Sequence, residues 1–115
     1  MTRGYHPEGW VIIKIINKDK TIYKVLASMR GLDESWRLNS GITSVDINEN
    51  NQLVFGGYSG SVYICNRGQY GKLNHYTKAT LNSLERQITT LEDTRMFVLS
   101  YQDVLEYVLQ MTKGE

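Results

Sequence analysis

The sequence predicts an α+β fold, in which an antiparallel five- or six-stranded meander sheet is followed by two C-terminal helices packed on one face. Short apolar runs separated by turn residues fill the chain up to Cys65. Helical periodicity appears only after Gly71. Strands first and helices last is the order expected of an α+β protein.

The strands are predicted from β-branched and aromatic runs bounded by polar reversals. Two long runs flank Asn17-Lys18-Asp19-Lys20 and form a hairpin. A second hairpin turns at Gly56-Gly57-Tyr58-Ser59-Gly60, where the glycines supply conformations that a tight reversal needs. The predicted strands are residues 9–16, 21–28, 35–38, 42–47, 53–55 and 62–65.

The helices are predicted from apolar residues recurring at one helical face. One helix is expected at 77–91, and a short apolar run at 94–99 is compatible with a last strand. Ser100 is a candidate N-cap, with Asp103 three residues on, for a final helix. The two apolar stripes are Leu81, Leu84, Ile88 and Leu91, and Val104, Leu105, Val108 and Met111.

Length and composition indicate one domain. The 115 residues are 41% hydrophobic and 22% charged, which is ordinary for a globular protein. We assign residues 9–115 to a single α+β domain and residues 1–8 to a flexible N-terminal arm. The net charge of +1 gives no overall attraction to nucleic acid or to an anionic membrane.

The chain has no stretch of about 20 apolar residues, so no membrane span is expected. Its single cysteine, Cys65, has no internal disulfide partner. A cytoplasmic location is therefore expected.

The residues that could carry catalysis or hold a metal are few. Cys65 lies in the middle of a predicted strand, and the only histidines are His6 and His75. A nucleophilic thiol favours an exposed, electropositive place, and a metal site needs a ligand-like spacing that is missing here. We expect no enzymatic activity, no metal and no cofactor.

Large aromatic and basic side chains are the candidate partner-binding residues. Trp36 and Arg37 stand beside a predicted turn, and such residues often dominate binding interfaces. Trp36 could equally belong to the core. Tyr58 and Tyr63 come from the glycine-rich hairpin.

Residues 67–86 add a basic segment with interleaved aromatic side chains. Arg67, Tyr70, Lys72 and Lys78 provide the cations and a ring on which a base could stack. This composition supports a nucleic-acid-binding module as an alternative function. The simpler interpretation is an ordinary solvated surface.

Two blocks, SWRLNSGI at residues 35–42 and SGSVYIC at residues 59–65, resemble small accessory proteins encoded by bacteriophages, whose functions are unassigned. The resemblance covers fifteen residues and brings no functional residue with it. It implies a class of short proteins that bind a host enzyme or defence complex and block it, and a phage-encoded protein of this class is expected in the cytoplasm of the host cell.

The residues predict a non-enzymatic binding protein, and the resemblance implies that it inhibits a host macromolecule, as an anti-CRISPR or anti-restriction factor would. The expected partner is a host protein or a protein–nucleic acid complex. An aromatic rim beside a sheet edge also allows a homodimer.

Overall fold

The computed structural model describes residues 4–29 and 35–113. Within these residues the chain forms eight strands, two α-helices and a 3-10 turn at Arg67–Gln69. The elements are β1 (Gly4–Tyr5), β2 (Gly9–Asn17), β3 (Lys20–Ser28), β4 (Trp36–Leu38), β5 (Ile42–Ile47), β6 (Leu53–Gly57), β7 (Val62–Cys65), α1 (His75–Thr89), β8 (Thr94–Val98) and α2 (Tyr101–Lys113).

The α+β class is confirmed, but the single meander sheet is wrong. The strands form two four-stranded sheets, a first sheet of order β1-β7-β6-β5 and a second sheet of order β4-β3-β2-β8. Antiparallel pairing joins all neighbours except β1, which runs parallel to β7. The predicted hairpins at 9–28 and 53–65 are both present.

The break between the two sheets falls at Asn39, which follows β4. The Asn39 side-chain oxygen accepts the backbone N–H of Val25 at 3.3 Å, while the Asn39 N–H donates to the Val25 carbonyl at 2.9 Å. The Asn39 side-chain oxygen thus replaces the Asn39 backbone carbonyl as the acceptor in the hydrogen-bond ladder with β3. The backbone is free to turn away, and β5 begins the other sheet instead of extending this one.

The β2–β3 hairpin is buried on both of its faces. Trp10 and Ile12 belong to a core shared with the first sheet and α2, whereas Val11 and Ile13 belong to a second core. Successive side chains of a strand point to opposite faces, so the two cores lie on opposite sides of the second sheet. The second sheet is therefore the central layer of the fold.

The two helices cover opposite faces of the second sheet, which corrects the prediction that both pack on one face. Leu81 and Leu84 of α1 pack against the core that contains Val11. Val104 and Val108 of α2 lie in the core that contains Trp10. Each core needs a cover because the hairpin exposes apolar side chains to both sides.

Helix α1 starts earlier than predicted because Asn74 caps it. The Asn74 side-chain oxygen accepts the Thr77 N–H at 2.8 Å and the Thr77 hydroxyl at 2.7 Å. The helix ends at Thr89, so Leu91 falls outside it and is exposed. The last strand and the Ser100 cap are confirmed, since the Ser100 hydroxyl accepts the Asp103 N–H at 3.1 Å.

Residues 4–8 are the described part of the arm predicted to be flexible. Within it, Gly4 and Tyr5 pair with Val62 and Tyr63 of β7. The flexibility of the arm stays a prediction, and residues 1–3 lie outside the described part of the chain.

Gly9 offers a test of how closely residues 72–77 sit on the second sheet. A Cβ at Gly9 would overlap the backbone carbonyl of Lys72, which cannot rotate away as a side chain could. We expect Gly9→Ala to lower the free energy of unfolding by about 3 kcal/mol or more. Gly68→Ala is the matched control, because a Cβ there meets no atom within 4 Å. Urea denaturation of both variants measures the difference, and equal stabilities would contradict the described packing.

Candidate functional site

The edge of the second sheet at β4 carries the largest group of predicted binding residues. We call the β4 rim the surface formed by residues 36–41 together with Tyr58 and Ser59. Residues 36–41 come from β4 and the turn after it, and Tyr58 and Ser59 come from the tip of the β6–β7 hairpin.

Hydrogen bonds join the two segments of the β4 rim. The Ser59 N–H donates to the Ser40 hydroxyl oxygen at 3.0 Å, and the Tyr58 N–H donates to the Gly41 carbonyl at 3.2 Å. The buried Asn39 side chain also accepts the Gly41 N–H at 3.0 Å, which fixes the turn itself. The rim is therefore held by backbone groups and not by side-chain contacts alone.

Tyr58 is displayed at the tip of the hairpin. Its side chain is 75% exposed, and its ring lies against Gly41. A Cβ at Gly41 would stand 2.8 Å from the Tyr58 ring, and the φ of 134° at this position is one that favours glycine. Gly41 thus allows the turn to form, and because it has no side chain the Tyr58 ring packs directly against it.

Trp36 is on the face of the sheet that α1 covers, and its side chain is 44% exposed. Its cross-strand neighbour in β3 is Ser28, whose hydroxyl donates to the Thr77 hydroxyl of α1 at 2.8 Å and accepts the Asn74 N–H at 2.9 Å. Directly opposed residues share a face, so Trp36 lies beside the start of α1. The sequence left open whether Trp36 belongs to the core or to the surface, and in the structure it is partly exposed.

Arg37 points to the opposite face. Its guanidinium group lies 4.2 Å from the centre of the Tyr5 ring, and that ring is 5.2 Å from the ring of Tyr63. Arg37 is exposed, whereas only 3% of Tyr63 is accessible. A cation over an aromatic ring is a favourable contact, and here it links β4 to the first sheet.

Tyr63 is a core residue in this fold. Burial raises the pKa of its hydroxyl, and the nearby charge of Arg37 opposes that shift. The accessible member of this aromatic pair is Tyr5, from a segment that the sequence predicted as a flexible arm and not as a strand. A strand of only two residues gives too weak a sequence pattern to be found.

Tyr70 makes structural contacts within the protein, so its ring is poorly suited to stacking on a nucleic-acid base. Its hydroxyl accepts the Ile12 N–H at 3.1 Å and donates to the Leu99 carbonyl at 2.6 Å, and its ring meets Trp10 edge-on at 4.7 Å. Burial raises the pKa of this hydroxyl, so it keeps the proton that it donates. Tyr70 bridges β2 and the segment after β8.

Arg67 and Lys72 are not part of the β4 rim. The Arg67 guanidinium donates to the backbone carbonyl and the side-chain oxygen of Asn51, at 2.9 and 3.1 Å. Lys72 is exposed, and its carbonyl lies over Gly9. Gly9, Ser28 and Trp36 form one cross-strand row, so Lys72 and Trp36 sit about two strand spacings, roughly 10 Å, apart on the same face.

Cys65 and the His, Asp and Glu side chains are the described residues to consider for nucleophilic or metal chemistry. Cys65 is fully buried, and burial raises the pKa of its thiol. Across residues 4–29 and 35–113 no group of three or more His, Cys, Asp or Glu side chains could hold a metal ion.

Comparison of the chain with protein-family models, with curated proteins and with solved structures finds no match. In the part of the chain that the structure describes, no helix is long and apolar enough to cross a membrane. The β4 rim is therefore the feature of this chain that bears on its function.

The role of Tyr70 can be measured by removing its hydroxyl. Tyr70→Phe leaves the ring in place but deprives both the Ile12 N–H and the Leu99 carbonyl of their partner. We expect a loss of about 1–3 kcal/mol in the free energy of unfolding, the usual effect of leaving buried polar groups unpaired. Tyr76→Phe, at an exposed tyrosine, should change stability by much less. Equal effects in chemical denaturation would contradict the bridging role.

Cys65 is expected to be protected from alkylation. Because burial raises its pKa, the fraction present as thiolate at mildly alkaline pH is smaller than for a free cysteine. Iodoacetamide labelling followed by mass spectrometry should therefore be slow in the native protein and should become rapid once urea unfolds it. Rapid labelling of the native protein would instead indicate a reactive thiol and reopen a nucleophilic function.

Proposed function

We propose that this chain is a non-enzymatic binding protein whose β4 rim contacts a macromolecular partner, in the manner of a phage accessory factor that blocks a host defence complex. The observation that carries the proposal is the exposure of Trp36 and Tyr58 on a backbone-anchored surface. Anchoring matters because a rigid aromatic side chain loses little conformational entropy when a partner covers it.

The chemistry of the β4 rim favours a protein partner. Tryptophan, tyrosine and arginine are the residues most often found at the energetic centres of protein interfaces. Ser40 and Ser59 are exposed beside Tyr58 and offer hydroxyl groups for directional contacts. An aromatic centre surrounded by a polar, solvent-accessible rim is the usual arrangement of such an interface.

The two blocks that resemble phage accessory proteins are adjacent in this fold. Residues 35–42 contain β4 and its turn, and residues 59–65 contain Ser59 and β7. The hydrogen bond between Ser59 and Ser40 joins them. The two blocks thus meet at the β4 rim, while Tyr63 and Cys65 of the second block lie in the core.

Nucleic-acid binding is the second candidate, and one observation favours it. Lys72 and Lys78 are exposed near the start of α1, on the face of the sheet that also displays Trp36. No acidic residue occupies the first turn of α1. Two cations and an exposed indole suit phosphate contact with base stacking, although Arg67 and Tyr70 already have partners within the chain.

Affinity capture from a bacterial lysate separates the two candidates. The full chain serves as bait, with and without nuclease, and at low and high salt. A specific protein retained after nuclease and at high salt would support the first proposal. Nucleic acid alone, released at high salt, would support the second, because phosphate contacts weaken steeply with ionic strength.

Substitutions in the β4 rim then test the surface against the captured partner. We expect Trp36→Ala, Arg37→Ala and Tyr58→Ala each to weaken binding by at least about 1 kcal/mol while leaving the far-ultraviolet circular dichroism unchanged. Leu109→Ala, at an exposed apolar residue of α2, is the control and should bind as the wild type does. Calorimetric titration gives the affinities, and normal binding by all three rim variants would refute the assignment of this surface.

A further inference from the structure

The strand β8 forms the other edge of the second sheet, and this edge lacks the features that usually protect one. It spans five residues, Thr94–Val98, with one charged side chain, no proline and no irregularity in its pairing with β2. Phe97 is 46% exposed and Val98 is 39% exposed. Such an edge can accept another strand.

The three remaining sheet edges are different. The edge strand β1 has two residues and the edge strand β4 has three. The edge strand β5 is longer, but it has a shift in register between Ile42 and Ser44. Short length and irregular pairing both discourage the addition of a strand, so β8 is the described edge that is most open to it.

The hydrogen-bond pattern fixes which backbone groups of β8 face outward. The Lys18 N–H donates to the Asp93 carbonyl at 2.9 Å, and the Leu99 N–H donates to the Ile12 carbonyl at 3.0 Å. Residues 93 and 99 therefore direct their backbone groups toward β2, and so do residues 95 and 97, because the direction alternates along a strand. Thr94, Met96 and Val98 direct theirs to the open edge.

We propose that β8 pairs antiparallel with β8 of a second copy of this chain, about a two-fold axis at Met96. In such a pair, a residue whose backbone groups point to the open edge must lie opposite another residue of that kind. The register of greatest overlap places Met96 opposite Met96 of the second copy and Thr94 opposite Val98. The edge is thus complementary to itself, as a two-fold interface requires.

The side chains fit this register. Arg95 and Phe97 lie on the same face of β8, since they are two residues apart. In the paired dimer Arg95 of each copy opposes Phe97 of the other, at positions where the strands exchange no hydrogen bonds and side chains approach most closely. A guanidinium group beside an aromatic ring is a favourable contact, and two-fold symmetry provides it twice. Both side chains are exposed in the single chain.

Pairing through β8 would make the second sheet continuous across both copies, in the order β4-β3-β2-β8-β8-β2-β3-β4. The two β4 strands would then lie seven strand spacings apart, about 34 Å at about 4.8 Å each. A dimer of this form would present two β4 rims, and a partner with two matching sites would bind more tightly than a partner with one.

Sedimentation velocity of the isolated full chain, from micromolar to millimolar concentration, tests the pairing without any partner. We expect a concentration-dependent dimer. Phe97→Lys places a cation opposite Arg95 of the other copy and should weaken dimerisation at least about tenfold. Arg95→Glu combined with Phe97→Lys places opposite charges across the axis and should restore it.

Two further variants separate this interface from a general effect on folding or solubility. Val98→Pro removes an N–H that faces the open edge and not one that faces β2, so it should abolish the dimer while leaving the circular dichroism unchanged. Ile47→Lys, at an equally exposed apolar residue of β5, should leave the dimer intact. A wild-type protein that stays monomeric, or a dimer insensitive to both Phe97→Lys and Val98→Pro, would overturn the proposal without bearing on the β4 rim.

Discussion

The burial of the β2–β3 hairpin on both faces is the constraint on which the rest of the structure depends. Trp10 and Ile12 require a cover on one side, and Val11 and Ile13 require another. A single sheet with both helices on one face would leave one of these sets in water, at a cost of about 1.5–3 kcal/mol for each large side chain. In the structure, the first sheet and α2 cover Trp10 and Ile12, and α1 covers Val11 and Ile13.

Local structure followed from the sequence because its signals are local. The reversal at residues 17–20 and the Ser100 cap depend on neighbours in the chain, and both are present. The division into two sheets depends on the hydrogen bond between the Val25 N–H and the Asn39 side chain. No pattern of neighbouring residues predicts that contact. The unbroken apolar run Trp10 to Ile13 is a local signal of burial on both faces, since a strand covered on one face alternates instead.

The same distinction explains which candidate residues belong to the surface. Trp36 and Tyr58 flank turns, where a large side chain tends to be displayed, and both are exposed. Tyr70 and Tyr63 have the same chemistry but acquire their roles from distant partners, Leu99 for Tyr70 and Tyr5 for Tyr63. Residue type and local pattern could nominate these tyrosines, but only tertiary contacts assign each one to the core or the surface.

The Tyr70 hydroxyl also sets the geometry of the β8 edge. Ile12 and Leu99 are opposed, and one bond of the pair is direct, from the Leu99 N–H to the Ile12 carbonyl. The other is replaced by the hydroxyl, which accepts from the Ile12 N–H and donates to the Leu99 carbonyl. Because the hydroxyl stands between the Ile12 N–H and the Leu99 carbonyl, the pairing of β8 with β2 ends just beyond Val98. Helix α2 begins at Tyr101. The open edge is therefore five residues long, which is long enough for the three outward-facing residues that the two-fold pairing uses.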